Sequence, residues 1–212
     1  MDLTDEKSGE KAACSQGASK RKYDCIAKVV IIGDKASGKT SLAKKYCNDT
    51  SLQDYRSTIG TNFEVKTIPV ERNGEQKRMM LQLWDLGGDE HFGFVRPLYY
   101  KGTMACAVVV DATRKETLDH VKGWLLEMYH NKVDGVLPTI LLCNKIDLEK
   151  TRKVYPKDID RALEALYSMK EFEAYRQLPI KAFETSAKDG TNIERAFGAL
   201  ATMAVGGAKF FY

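Results

Sequence analysis

Residues 33–40 read Gly-Asp-Lys-Ala-Ser-Gly-Lys-Thr, a complete G-x-x-x-x-G-K-[ST] loop, and its flanks constrain the fold more than any other feature. The β-branched run Ile26-Ala-Lys-Val-Val-Ile-Ile32 precedes it as a predicted strand, and 39–47 follows as a predicted helix. Gly33 and Gly38 let the backbone close around an anion. The N–H groups of Asp34, Lys35, Ala36, Ser37 and Gly38, and of Ser41 in the first helical turn, then face phosphates at a helix N-terminus. Lys39 is expected to reach the β/γ-phosphates, and the Thr40 hydroxyl to ligate Mg²⁺. The pattern alone also fits an unrelated glycine-rich turn; the strand and helix on either side argue for a nucleotide.

A second cluster bears on which nucleotide. Asn144-Lys145-Ile146-Asp147 follows the apolar run 139–143, at the carboxyl end of a predicted strand, where α/β folds bind ligands. A carboxylate at Asp147 matches the N1–H and exocyclic amine donors of guanine, whereas adenine presents an acceptor at N1. A third cluster, Glu184-Thr-Ser186-Ala187-Lys188, ends the next strand, and the Ala187 N–H is expected to bond the guanine oxygen. Asn-Lys-Ile-Asp by itself also reads as a polar turn with a helix cap.

These motifs, in this order, resemble the Ras superfamily of small GTPases, and within it the Rab branch. The resemblance runs from about residue 23 to 204 and includes Thr58-Ile-Gly60 and Trp84-Asp85-Leu-Gly-Gly88, the marks of two switch segments. It implies that Thr58 coordinates Mg²⁺ and senses the γ-phosphate. Asp85 would hold Mg²⁺ through water, and the Gly88 N–H would touch the γ-phosphate. Hydroxyl and carboxylate oxygens are the hard donors that suit Mg²⁺.

Composition agrees with a globular chain. With 212 residues, 43% hydrophobic and 29% charged, there is one domain with a sizeable core. A net charge of +4 gives no argument for nucleic acid, and the longest apolar run, 104–110, is too short to span a bilayer. The five cysteines are odd in number and lack metal-ligand spacing, which predicts reduced intracellular thiols with Cys106 and Cys143 in the core. Residues 1–22 are expected as a disordered tail without a secretory signal, 23–205 as the nucleotide-binding domain and 206–212 as a short tail.

Strands alternating with helices predict an α/β fold, and the resemblance implies that it is a single Rossmann-like P-loop domain of the small-GTPase type. The expected sheet has six strands, mostly parallel, with one antiparallel edge strand and helices on both faces. Asn73-Gly74 predicts a hairpin between two extended runs. Thr113-x-x-Glu116 and Thr191-x-x-Glu194 read as capping boxes, before stripes at Leu118, Val121, Leu125, Met128 and at Ile193, Ala196, Phe197, Leu200, Ala204.

Several positions depart from the family pattern. Lys35 stands where Ras proteins carry glycine and Rabs a small residue, and Asp89 replaces the glutamine that orients the attacking water. Ser51 replaces an aromatic residue that lies edge-on to guanine, although Leu52 is placed to fill the gap. The stretch between Asp147 and Glu184 is long enough for extra helical turns at 168–177. The last cysteine is Cys143, so no prenyl anchor is evident, and a truncated terminus is the alternative. An aspartate is shorter than glutamine, only accepts when ionised, and adds negative charge beside phosphate; slow intrinsic hydrolysis is expected. Lys35 either neutralises Asp89 or supplies positive charge in cis, as an arginine finger does in trans, or both side chains point to solvent.

Phe63, Trp84 and Tyr99 occupy positions that in Rabs form an aromatic effector-binding patch, although each is also a plausible packing residue. Effectors, an exchange factor and a GTPase-activating protein are the implied partners of a monomeric cytoplasmic protein, peripheral to membranes through those partners. The expected function is a GTP/GDP switch with Mg²⁺, with catalytic roles at Lys35, Lys39, Thr58 and Asp89. A nucleotide-holding scaffold with negligible turnover is the alternative. An ATP-dependent kinase is disfavoured by Asn144–Asp147 and by the lack of an evident acceptor lid.

Overall fold

The computed structural model describes residues 22–47, 61–131, 137–176, 178 and 180–211. Residues 1–21 of the expected tail and the first switch, with Ser51, Leu52 and Thr58, lie outside the described residues.

The first strand, β1 (Cys25–Gly33), leads into α1 (Lys39–Cys47). A long hairpin follows, β2 (Thr61–Arg72) and β3 (Glu75–Leu86), joined by Asn73 and Gly74, both at positive φ. This is the Asn-Gly turn whose twist matches the flanking strands. The second switch holds a 3₁₀ turn at Glu90–Phe92 and the short α2 (Pro97–Tyr100). Then come β4 (Ala105–Asp111), α3 (Glu116–Asp119), α4 (Val121–Asn131) and β5 (Thr139–Asn144). The remaining elements are α5 (Pro156–Tyr167), a 3₁₀ stretch at Lys170–Arg176, β6 (Lys181–Glu184), α6 (Ile193–Ala204) and β7 (Lys209–Phe210).

Six of the sheet's seven strands run in the order β2-β3-β1-β4-β5-β6, where only β2 against β3 is antiparallel, and β7 pairs with β1 off this path. Both faces are covered. Alternate residues of the central strands divide between two cores: Ala27, Val29 and Ile31 pack with α1 and α6, while Val30 and Ile32 pack with α4 and α5. Burial on both faces explains why these strands read as unbroken apolar runs. Cys106 and Cys143 sit in the second core, and burial pushes both thiols above their ordinary range. Both apolar stripes predicted for α3–α4 and α6 are buried.

Two local expectations are corrected. The segment 206–212 is not merely a tail: Lys209 and Phe210 add a short antiparallel strand beside Ile26 and Cys25. Because β4 pairs with β1 only from Val29 onward, that edge of β1 is otherwise open. Neither predicted capping box forms. Thr113 gives both its N–H and hydroxyl to Asp111 Oδ1, and Thr191 does the same with Asp189 Oδ1. An aspartate two residues upstream captures the threonine before it can cap a helix. The extra segment after Asp147 is helical, as expected: α5 is followed by a 3₁₀ stretch, with Phe172 fully buried.

Candidate functional site

The carboxyl ends of β1, β3, β4, β5 and β6 converge, bringing the phosphate loop, Asp85–Asp89, Asp111, Asn144–Asp147 and Ser186–Lys188 to one edge of the sheet. Two glycines are structurally required in the loop. At Gly33 (φ +136°) an added Cβ would meet Val109 O at 2.3 Å, and at Gly38 (φ +99°) it would meet Asn144 Nδ2 at 2.2 Å. Lys39 is buried and donates to Gly33 O (2.8 Å) and Asp34 O (2.9 Å). Burial lowers its pKa to about 8, against the pull of Asp85 and Asp34. Ser37 Oγ is buried without a hydrogen-bond partner, and Ser41 is exposed in the first turn of α1.

The Asn-Lys-Ile-Asp cluster, expected at the base, is part of the loop's scaffold. Asn144 Nδ2 donates to Ser37 O (3.0 Å), and Lys145, itself at φ +69°, donates to Ala36 O (2.7 Å). Ser186 Oγ donates to Asp147 Oδ1 at 2.8 Å, which fixes the carboxylate's orientation. The Ala187 N–H, expected at the base oxygen, donates to Asn144 Oδ1 (3.0 Å). Lys188 is exposed.

On the metal side, Thr40 Oγ1 donates to Asp85 Oδ2, and Asn62 Nδ2 reaches the same oxygen at 3.2 Å. These are hard oxygen donors side by side at the mouth of the loop, the donor set that suits Mg²⁺. The third expected ligand, Thr58, lies outside the described residues. Gly88 packs against the loop so closely that a Cβ would lie 2.3 Å from Gly33 O and 2.6 Å from Lys35 N. A cradle that tolerates no side chain at Gly33, Gly38 or Gly88, with a buried ammonium and paired oxygen donors, fits a Mg·nucleotide.

The Lys35 and Asp89 side chains meet rather than pointing separately to solvent. Lys35 Nζ lies 2.9 Å from Asp89 Oδ2, and His91 Nδ1 lies 2.6 Å from Asp89 Oδ1. Hydrogen bonds from His91 and then Lys35 hold the Asp89 carboxyl well below the usual range, so it is ionised at neutral pH. The aromatic residues also assemble: Phe63 and Trp84 are edge-on at 5.0 Å between centroids, and Tyr99 lies 5.9 Å from Trp84.

Four further groups surround the site without a motif to announce them. Asp111, almost fully buried, accepts from Lys145 Nζ (2.7 Å) and Arg114 Nε (3.1 Å). Arg114 Nη2 continues to Lys35 O (2.8 Å). Asp34 accepts from Trp124 Nε1 (2.7 Å) and faces His120 Nδ1 (2.8 Å), anchoring the loop to α4. Buried Arg96 forms a two-pronged pair with Glu127, each bond 2.7 Å, and also holds the carbonyls of Gly87 and Asp89. The one available sequence signal was placement: Asp111 ends a buried strand at the binding edge.

A glycine-rich phosphate loop, the Gly88 segment packed against it and an oriented carboxylate at Asp147, all at one edge of a mostly parallel sheet, are the arrangement of a P-loop nucleotide-binding protein. The model for the Ras family matches residues 28–205, and the chain belongs to that family. Its relatives are of the Rab branch of small GTPases. "Ras-related protein Rab-13" of Mesocricetus auratus is 35% identical over 179 residues, 84% of this chain and 80% of that protein. "Ras-related protein RABA4b" of Arabidopsis thaliana is 36% identical over 186 residues, 88% of this chain and 75% of that protein. "GTP-binding protein ypt1" of Schizosaccharomyces pombe is 35% identical over 175 residues, 82% and 78% of the two chains. Among the described residues no helix is long and apolar enough to cross a membrane.

Proposed function

We propose that this chain is a Mg²⁺-dependent GTP/GDP switch of membrane trafficking with slow intrinsic hydrolysis, and that it signals through the Phe63–Trp84–Tyr99 cluster and both switches. The observation that carries the slow rate is the Lys35–Asp89 ion pair. Domain limits of 23–205, with β7 paired onto the domain's sheet, a monomeric state and a cytoplasmic location peripheral to membranes through partners belong to the same reading. So do an exchange factor and an activating protein.

In this mechanism the loop N–H groups from Asp34 to Ser41 receive the phosphates, and Lys39 leaves the Gly33 and Asp34 carbonyls to neutralise them. Thr40 and Thr58, with Asp85 through water, would hold Mg²⁺, which would supply positive charge beside the phosphates. Asp147 accepts the two guanine donors, Asn144 and Lys145 frame the base, and the Ala187 N–H is shared with the base oxygen. Gly88 brings the second switch against the γ-phosphate, and Thr58 brings the first. Asp89 cannot act as a glutamine would. It has no donor to offer the phosphoryl group, and its oxygens already accept from His91 and Lys35. Lys35 therefore serves chiefly to cancel the charge of Asp89.

A second reading, a nucleotide-holding scaffold with negligible turnover, is favoured by the same saturation of Asp89. Single-turnover hydrolysis of γ-labelled GTP, with and without a cell lysate supplying activators, separates the two. Asp89→Gln should speed intrinsic hydrolysis. Lys35→Gly should be harmful with Asp89 present and nearly neutral in the Asp89→Gln background. Additive effects of the two substitutions would sink the coupled-pair account and leave Asp89 as a plain loss of the water-positioning residue.

A further inference from the structure

Ala36 is the one residue of the phosphate loop other than glycine that adopts the left-handed conformation, at φ +61°. A residue with a Cβ is disfavoured there by about 1–2 kcal/mol, so the surroundings must impose it. Both peptide groups that flank Ala36 are held from outside the loop. Its own carbonyl accepts from Lys145 Nζ (2.7 Å), and the preceding carbonyl, Lys35 O, accepts from Arg114 Nη2 (2.8 Å). The two cations are joined through one oxygen, Asp111 Oδ2, at 2.7 Å from Lys145 and 3.1 Å from Arg114. Asp111 Oδ1 is occupied by the N–H and hydroxyl of Thr113. Burial works to raise the Asp111 pKa, yet these donors leave it below the ordinary value, so the carboxylate stays charged.

We propose that Arg114 is a positioning residue of the phosphate loop: tethered to Asp111, it grips Lys35 O and, with Lys145 on Ala36 O, locks Ala36 in its left-handed conformation. The reason lies in peptide geometry. A peptide's C=O and N–H point in opposite directions. Turning the Lys35 carbonyl outward to Arg114 turns the Ala36 N–H inward, to the concave side where phosphate binds, while the next N–H, that of Ser37, donates within the loop to Asp34 O (3.2 Å). The loop is thus organised before nucleotide arrives, and the ordering cost at binding falls. Arg114 also fixes the direction in which Lys35 leaves the loop toward Asp89.

The inference rests on the nucleotide-binding reading, and the experiment keeps the two apart. The full chain and its Arg114→Gln, Arg114→Lys, Ala36→Gly and Ala36→Gly/Arg114→Gln variants are compared for mant-GDP release and for GDP and GMP affinity. Loss of a charge-assisted hydrogen bond predicts release of GDP about tenfold faster in Arg114→Gln, with an intermediate rate in Arg114→Lys. GMP, which has no β-phosphate for the loop to grip, should change by less than about twofold, because the base contacts are untouched. In the Ala36→Gly background the Arg114→Gln effect should shrink to about threefold or less, since glycine enters the left-handed region unaided. Three results would overturn the proposal: an unchanged GDP release rate, equal weakening of GDP and GMP, or the same penalty in the glycine background. If the unaltered chain binds GMP as well as GDP, the loop does not grip phosphate, and the underlying reading falls with it.

Discussion

Replacing Lys39 with methionine should remove a cost that the nucleotide-free fold carries for the sake of binding. Lys39 is buried, and burial takes its pKa from the ordinary 10.5 to about 8. That difference of about 2.5 pH units corresponds to about 3 kcal/mol. Below pH 8 the ammonium is protonated in both the folded and the unfolded chain, and the folded state bears the full cost. Between pH 8 and 10.5 the unfolded chain holds the proton more tightly, so this group's penalty is relieved as pH rises. From pH 7 to 9.5 the relief amounts to about 2 kcal/mol. Methionine has a similar reach and no charge. It also loses the bonds to Gly33 O and Asp34 O, but nearly the same loss applies at each pH, so the slope isolates the ionisation. Urea unfolding of nucleotide-free protein at pH 7 and 9.5 measures it. Wild type should gain about 2 kcal/mol more than Lys39→Met over that interval, and GDP should stabilise only wild type. Parallel pH profiles for the two proteins would refute the reasoning.

The metal ligands should separate by nucleotide. Thr40→Ala is expected to weaken Mg·GTP and Mg·GDP alike, whereas Thr58→Ala should spare GDP affinity and abolish effector discrimination; equal effects of Thr58→Ala on both would exclude a γ-phosphate sensor. Exchange should be faster than in relatives with an aromatic residue at the Ser51 position. Ser51→Phe is therefore expected to slow mant-GDP release, and an unchanged rate would mean that this position does not touch the base.

Much of the fold was legible because its signals are local and repeated. The apolar runs of β1, β4 and β5 are long because both faces are buried, and Asn73-Gly74 admits one kind of turn. The site's motifs were legible for a related reason: Gly33, Gly38 and Gly88 stand where backbone meets backbone, or a side chain, too closely for a Cβ. What stayed hidden depends on which of several acceptors a side chain chooses. Thr113 and Thr191 sit three residues before a glutamate, as a capping box requires, but each also follows an aspartate by two residues, and the aspartate wins. The Arg114–Asp111–Lys145 cluster joins β4, its following loop and the turn after β5, so no window of sequence contains it. The Lys35–Asp89 pair was legible as two charges 54 positions apart, but not as a contact.

The central claim is that Asp147 reads guanine at the edge where the phosphate loop, the Asp85–Asp89 segment and the Asn144–Asp147 and Ser186–Lys188 clusters converge. Its most direct test is the affinity of wild type and Asp147→Asn for GDP, ADP and xanthosine diphosphate. Wild type should select GDP strongly over both rivals. The substitution sets an amide donor against the guanine N1–H, while the xanthine acceptor at C2 would welcome that donor, so the variant should lose GDP and gain xanthosine diphosphate. A variant that binds GDP as tightly as wild type, or a wild type that takes ADP equally well, would contradict the account.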